Sequence, residues 1–138
     1  MRKYPYYIPA NKIYKPWITV SIGYKKAHKI TPAPITALID SGADVCFCSK
    51  EIADFLSVNE KNKTTKVFTT ANGSPLPTFQ ETLTLYVGGR IYDCTFYISD
   101  KLPVETPIIL GQLGFFDNHK VTFDLENKAI EISYYRDN

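Results

Sequence analysis

The chain is poor in cysteine, methionine and tryptophan, with three, one and one among its 138 residues, and it has no long apolar run. An odd, small number of cysteines does not build a disulfide framework, so a reducing, cytoplasmic setting is expected. No stretch approaches the roughly 20 apolar residues that a membrane-spanning helix needs. The opening Met1-Arg2-Lys3-Tyr4-Pro5-Tyr6-Tyr7-Ile8-Pro9 is basic but lacks the apolar core of a signal peptide. A surplus of one charge is missing too. Lys and Arg number 16 against 14 Asp and Glu, for a formal net charge of +2, and the lysines are scattered rather than striped. The basic footprint of a nucleic-acid binder is therefore absent, and neither a nucleic acid nor a membrane is expected as a partner.

Aromatic residues are what the chain has in quantity. Ten tyrosines and eight phenylalanines suit sheets better than helices. The length fits one domain. Residues 1–11, rich in Pro and Tyr, read as an extended arm rather than a packed element, and 12–138 as a single domain. A strand is predicted over 12–24, with Ile18, Val20 and Ile22 alternating with Trp17, Thr19 and Ser21. A basic loop follows over 25–34, and another strand starts at Ile35. Ser49 is placed to cap a short helix over 50–56, with Glu51 in its first turn. Strands over 64–70 and 76–87 flank Ala71-Asn72-Gly73-Ser74, and Asn-Gly is a strong hairpin signal. Gly88-Gly89 makes the next turn into a strand over 90–98. Two alternating strands, carrying Val121, Phe123, Leu125 and then Ile130, Ile132, Tyr134, close the chain. The pattern is all-β.

The chemistry centres on Asp40-Ser41-Gly42-Ala43, which ends the apolar run Ile35, Ala37, Leu38, Ile39 and occurs once. A strand that stops on an acid, a hydroxyl and a glycine puts a carboxylate where the backbone turns sharply. Peptide hydrolysis by carboxylates needs one ionised group and one protonated group. One such site per chain is half of that arrangement. Ser41 is no nucleophile of the hydrolase kind, because no Gly-x-Ser-x-Gly occurs and neither His28 nor His119 lies in a recognisable motif. Cys46-Phe47-Cys48, expected to point its thiols to opposite faces of a strand, has only Cys94 and two distant histidines to complete a metal site. That falls short of zinc spacing, so no metal and no cofactor are expected.

Ala37-Leu38-Ile39-Asp40-Ser41-Gly42-Ala43-Asp44 resembles the active-site strand and turn of retropepsin-like (retroviral-type) aspartic proteases. Pro107-Ile108-Ile109-Leu110-Gly111, followed by a helix-like stretch over 112–117, resembles the strand-glycine-helix element near the C terminus of that family. A hairpin lies between them where the family keeps its flap. The resemblance runs over about residues 12–132. It implies a retropepsin-like acid protease fold, a small closed barrel or sandwich with one or two short helices and one lobe per chain, with a flap over about 67–87. It implies an aspartic endopeptidase that is a homodimer, in which the Asp40 carboxylates of two subunits activate a water molecule. Ser41 would hydrogen-bond across the dimer axis, and Gly42 would let the backbone approach substrate. Ala43 and Asp44 would line the cleft, and Phe47, Pro107 and Ile109 would form apolar walls selecting hydrophobic side chains beside the cut. The flap tip, Ala71, Asn72, Gly73 and Ser74, would close over an extended peptide. The family's chain termini interleave between subunits, which implies interface roles for 12–18 and 129–135. One departure is Gln112, where many members carry arginine. The alternative from the binding class is the same fold kept as a non-proteolytic dimerisation or peptide-binding module. A trimeric deoxyuridine triphosphatase would need a Tyr-x-Gly and a Gly-rich C-terminal phosphate motif, and neither is present.

Overall fold

The computed structural model describes residues 2–7 and 14–135. Eleven strands and one α-helix follow in order: β1 Arg2–Pro5, β2 Trp17–Tyr24, β3 Lys29–Ile30, β4 Ile35–Ile39, β5 Cys46–Ser49, α1 Lys50–Phe55, β6 Thr65–Thr69, β7 Pro75–Val87, β8 Arg90–Ser99, β9 Ile108–Leu110, β10 His119–Asp124 and β11 Ala129–Tyr134. The expected basic loop contains a 3-10 turn, Lys25–Ala27, and the short β3. No helix among the described residues is long and apolar enough to cross a membrane.

Alternation decides which way each strand faces. Ile18, Val20 and Ile22 of β2, Leu83, Leu85 and Val87 of β7, Phe96 and Ile98 of β8, and Ile108 and Leu110 of β9 are all buried in one core. Their strands wrap around it. The order β2-β4-β9-β5-β8-β7, closed by pairing of β7 back to β2, makes a six-stranded barrel, with β3 and β6 attached outside. Gly88 and Gly89 join β7 to β8 with φ of 58° and 82°, and Val87 faces Arg90 across them. Positive φ at both central residues is the requirement of a type I′ hairpin turn, one that glycine meets without cost. The expected helix is present: Ser49 Oγ accepts from Ile52 N at 3.3 Å, a cap that contributes about 1 kcal/mol.

The strand that matters most for the site is β9. It lies between β4, which it meets in parallel register, and β5, which it meets antiparallel. Two strands consecutive in the chain are thus separated by a third from far downstream. The segment 40–45 that joins them must pass over the end of β9.

Three expectations are corrected. The stretch 112–117 is a succession of turns and not a helix. Phe116 N donates to Gly111 O at 3.1 Å and Asp117 N to Gln112 O at 3.0 Å, a five-residue spacing, and Gly114 sits at φ +106°. Cys46 and Cys48 both enter the main core, since residues two apart on a strand share a face. Ala129–Tyr134 does not offer an edge for interleaving with a second chain. Arg2–Pro5 pairs antiparallel with one side of β11 and His119–Asp124 with the other, giving a three-stranded sheet β1-β11-β10 within the chain. Residues 2–5 of the expected arm are therefore paired, while 8–11 and residues 12–13 of the expected first strand lie outside the described residues.

Candidate active site

The end of β4 and the segment after it are held by hydrogen bonds on both sides. Ile39 N donates to Pro16 O at 3.0 Å, and Asp40 N to Leu110 O at 3.0 Å. Ala43 N returns to Asp40 O at 3.1 Å, and Asp40 Oδ1 accepts from Gly42 N at 2.9 Å, closing an Asx-type turn. The far side of the loop rests on residues 111–113. Gln112 N donates to Ala43 O at 2.8 Å, Leu113 N to Asp44 O at 3.0 Å, and Gln112 Nε2 to Ser41 O at 2.6 Å. A Cβ on Gly111 would stand 2.2 Å from Val45 O and 2.6 Å from Ala43 O, so only glycine allows this approach. Asp40 and Ala43 are half-buried, and Ser41, Gly42 and Asp44 are exposed.

Register shows what lies beside this loop. Trp17 faces Leu38, Leu38 faces Ile109, Ile109 faces Phe47, Phe47 faces Tyr97, and Tyr97 faces Gln80. This row crosses the barrel wall, and its neighbours along each strand, such as Ala37, Ile108, Cys46 and Phe96, point into the core. The row belongs to the opposite face. Asp40 follows Leu38 by two residues and continues that face.

A second apolar cluster sits there, apart from the barrel core. It consists of buried Val45, Phe47 and Leu76 with half-buried Ala43, Phe68, Tyr97, Leu102 and Ile109 packed against them. Phe68 meets Phe47 at 5.1 Å between ring centroids and 76° between planes, and Tyr97 at 5.2 Å and 83°. Each such edge-to-face pair contributes about 1 kcal/mol beyond its burial. Phe68 and Leu76 face each other across the hairpin of β6 and β7. The cluster therefore joins that hairpin to the wall beside the Asp40 loop.

Of the residues singled out from sequence, Asp40 to Asp44, Phe47 and Ile109 are brought together. Pro107 is not in the cluster; its carbonyl accepts from Ser49 N at 2.8 Å, and it lines a groove with Leu102, Val104 and the start of α1. Ala71 to Ser74 form an exposed tip closed on itself, with Ser74 N donating to Thr70 Oγ1 and Asn72 Oδ1 at 3.2 and 3.1 Å and Gly73 N to Thr70 O at 2.9 Å. Sequence reasoning missed Phe68, Leu76 and Tyr97. Only Phe68 is half-buried in an otherwise exposed β6, and a single inward residue gives no periodicity to read. Among the described residues no group of three or more His, Cys, Asp and Glu is placed to hold a metal ion.

A carboxylate at a strand end, a glycine that admits the loop above it and a hairpin packed against the wall beside them can be compared with known proteins. The sequence model described as aspartyl protease matches residues 27–113, from the basic loop through Leu113. The chain belongs to the aspartyl protease family. Solved structures agree on the fold. A retropepsin-like aspartic protease from Rickettsia conorii superposes with a TM-score of 0.62 at 15% identity, over 96% of this chain and 99% of the other. The retroviral protease-like domain of Ddi1 from Leishmania major gives 0.55 at 14% identity, over 90% and 98%. The EIAV protease in complex with the inhibitor HBY-793 gives 0.53 at 22% identity, over 70% and 81%. No curated protein sequence matches the chain significantly. The barrel of this aspartyl protease family member is thus a retropepsin fold, with a single Asp-Ser-Gly per chain.

Proposed function

We propose that the protein is an aspartic endopeptidase whose active site is completed by a second copy of the chain. One observation carries the reading. In a member of the aspartyl protease family, the single Asp40-Ser41-Gly42 segment is pinned by residues 110–113 beside an apolar cluster that includes Phe68 and Leu76 of the β6–β7 hairpin. Two-fold association would set two Asp40 carboxylates side by side. At about 3 Å and an effective dielectric of about 20 they repel by roughly 5 kcal/mol, so one proton is retained between them. The pair then holds a base for water and an acid for the scissile carbonyl, and no covalent intermediate with the enzyme forms.

Ser41 takes the cross-axis hydrogen bond in this reading, and Gly42 leaves room for the substrate backbone. Ala43 and Asp44 line the cleft with Phe47 and Ile109, while Ala71, Asn72, Gly73 and Ser74 fold over the peptide and exclude water. Within the three-stranded sheet the outer edges are β1 and β10, and a partner strand would add there rather than beside β11. The three free, buried thiols suit a reducing, cytoplasmic setting.

The test is sedimentation of the purified chain combined with cleavage of a mixed peptide library, wild type beside Asp40→Asn, from acidic to neutral pH. Cleavage that tracks the dimer, is lost in Asp40→Asn and is blocked by a peptide mimic bearing a secondary hydroxyl supports the dyad. A dimer with no Asp40-dependent cleavage at any pH leaves a peptide-binding module.

A further inference from the structure

We propose that Phe68 is a size gate for the substrate side chain that lies within two residues of the cut. The inference rests on the endopeptidase reading and adds to it a selectivity for small apolar side chains. The space between the hairpin and the wall is already filled with rings. Phe47 and Tyr97 face each other on barrel strands β5 and β8, with centroids 6.4 Å apart, and Phe68 comes down edge-on against both. Ala43, three residues from Asp40, and Ile109, beside Leu110 whose carbonyl holds Asp40 N, complete the same surface.

An extended peptide crossing Asp40 beneath the hairpin turns alternate side chains up and down. The side chain directed at Ala43 and Ile109 meets this packed aromatic surface instead of a cavity. A side chain of alanine or valine size rests on it. A leucine or phenylalanine would have to displace a ring. Phe47 and Tyr97 are fixed by strand pairing on both flanks, whereas Phe68 rides on β6, an outer strand paired only with β7, with Lys66 Nζ over its ring at 4.8 Å. Phe68 is therefore the ring that yields, and removing it opens a pocket floored by Phe47 and Tyr97.

The experiment is position-resolved cleavage of a peptide library by wild type, Phe68→Ala and Phe68→Leu, with each variant's unfolding followed in parallel. In the wild type one position within two residues of the cut should favour Ala or Val over Leu and Phe. In Phe68→Ala the ratio of kcat/KM for Leu or Phe against Ala at that position should rise by at least about tenfold, the scale on which an apolar pocket discriminates size. Phe68→Leu should fall between. A general loosening of the fold lowers both numbers and leaves the ratio alone. An unchanged ratio in both variants overturns the gate while the endopeptidase reading stands. The same peptides are also bound, without cleavage, to Asp40→Asn with and without Phe68→Ala. A shift toward bulky side chains there, with no Asp40-dependent cleavage in the parent, upholds the gate and overturns the endopeptidase; no shift there, again with no Asp40-dependent cleavage, overturns both.

Discussion

Gln112 Nε2 donates to the carbonyl oxygen of Ser41 at 2.6 Å and so ties together two segments 71 residues apart in the chain. The bond is neutral and exposed, and it holds the residue beside Asp40. Gln112→Ala is expected to lower the unfolding free energy by about 1 kcal/mol in a urea titration. Because the bond positions the loop and does not touch a peptide, cleavage should fall through kcat with KM little changed. Gln112→Glu, which sets a carboxylate against a carbonyl oxygen, should cost more than Gln112→Ala in both measurements.

Gly111→Ala tests how tightly the loop sits. The added Cβ would lie 2.2 Å from Val45 O and 2.6 Å from Ala43 O, and both neighbours are backbone. Neither side can rotate away, so a loss of at least about 3 kcal/mol is expected, seen as a lower urea midpoint at unchanged slope or as failure to fold. Gly73→Ala is the contrast: nothing lies within 4 Å of its Cβ position, and only the φ of +85° opposes the change. Its cost should be about 1 kcal/mol.

Glu81 predicts the acid limb of stability. Burial pushes its carboxyl up, but Lys63 Nζ at 2.7 Å, the Tyr24 hydroxyl at 2.7 Å and Thr82 N at 2.9 Å outweigh burial and hold it down at about 2, against an ordinary 4.5. A carboxyl lowered in the folded state contributes stability that is complete above the unfolded value and is lost as pH falls from about 4.5 toward 2. The contribution at neutral pH is on the order of 3 kcal/mol. Glu81→Gln should flatten the stability curve in that window, measured by urea midpoints between pH 2 and 6.

The three thiols should be silent in the native protein. Cys46, Cys48 and Cys94 are 0%, 0% and 3% exposed. Burial pushes the Cys48 thiol well up, whereas hydrogen bonds from the Cys94 thiol and from Gly111 N at 3.4 Å bring Cys46 below its ordinary value. A thiol-reactive disulfide reagent should titrate none of them in native buffer and all three in denaturant. Under partial denaturation, peptide mapping should find Cys46 modified before Cys48, since the thiolate is the nucleophile.

Strands with clean alternation were readable in the sequence. Ile18, Val20 and Ile22, or Leu83, Leu85 and Val87, repeat every second residue over a long enough run to fix both the strand and its buried face. The Ser49 cap was equally readable, because capping is a local interaction. Partnership was not. Nothing in Arg2–Pro5 announces that it pairs with β11, since that pairing is made with residues more than 120 positions away and leaves β1 mostly exposed. The stretch 112–117 has helix-compatible residues, yet Gly114 adopts a positive φ, and a Cβ there would stand 2.8 Å from the Cys94 sulfur and 3.1 Å from the Cys46 sulfur, a constraint of packing. At the site, Asp40 and its motif are local and legible. Phe68 and Tyr97 join it through the register of three separate pairings, which no spacing in the sequence encodes.

The insertion of β9 between β4 and β5 also sets an order of events. The loop bearing Asp40 has its floor, Leu110 to Leu113, about 70 residues downstream, so during synthesis it is exposed without support until most of the barrel has been made. Closing contacts over such sequence separations is slow, and here the closing step and the assembly of the site are the same step. A nascent or truncated chain ending before Ile108 would carry the whole Asp40-Ser41-Gly42 segment and yet be unable to hold it in place.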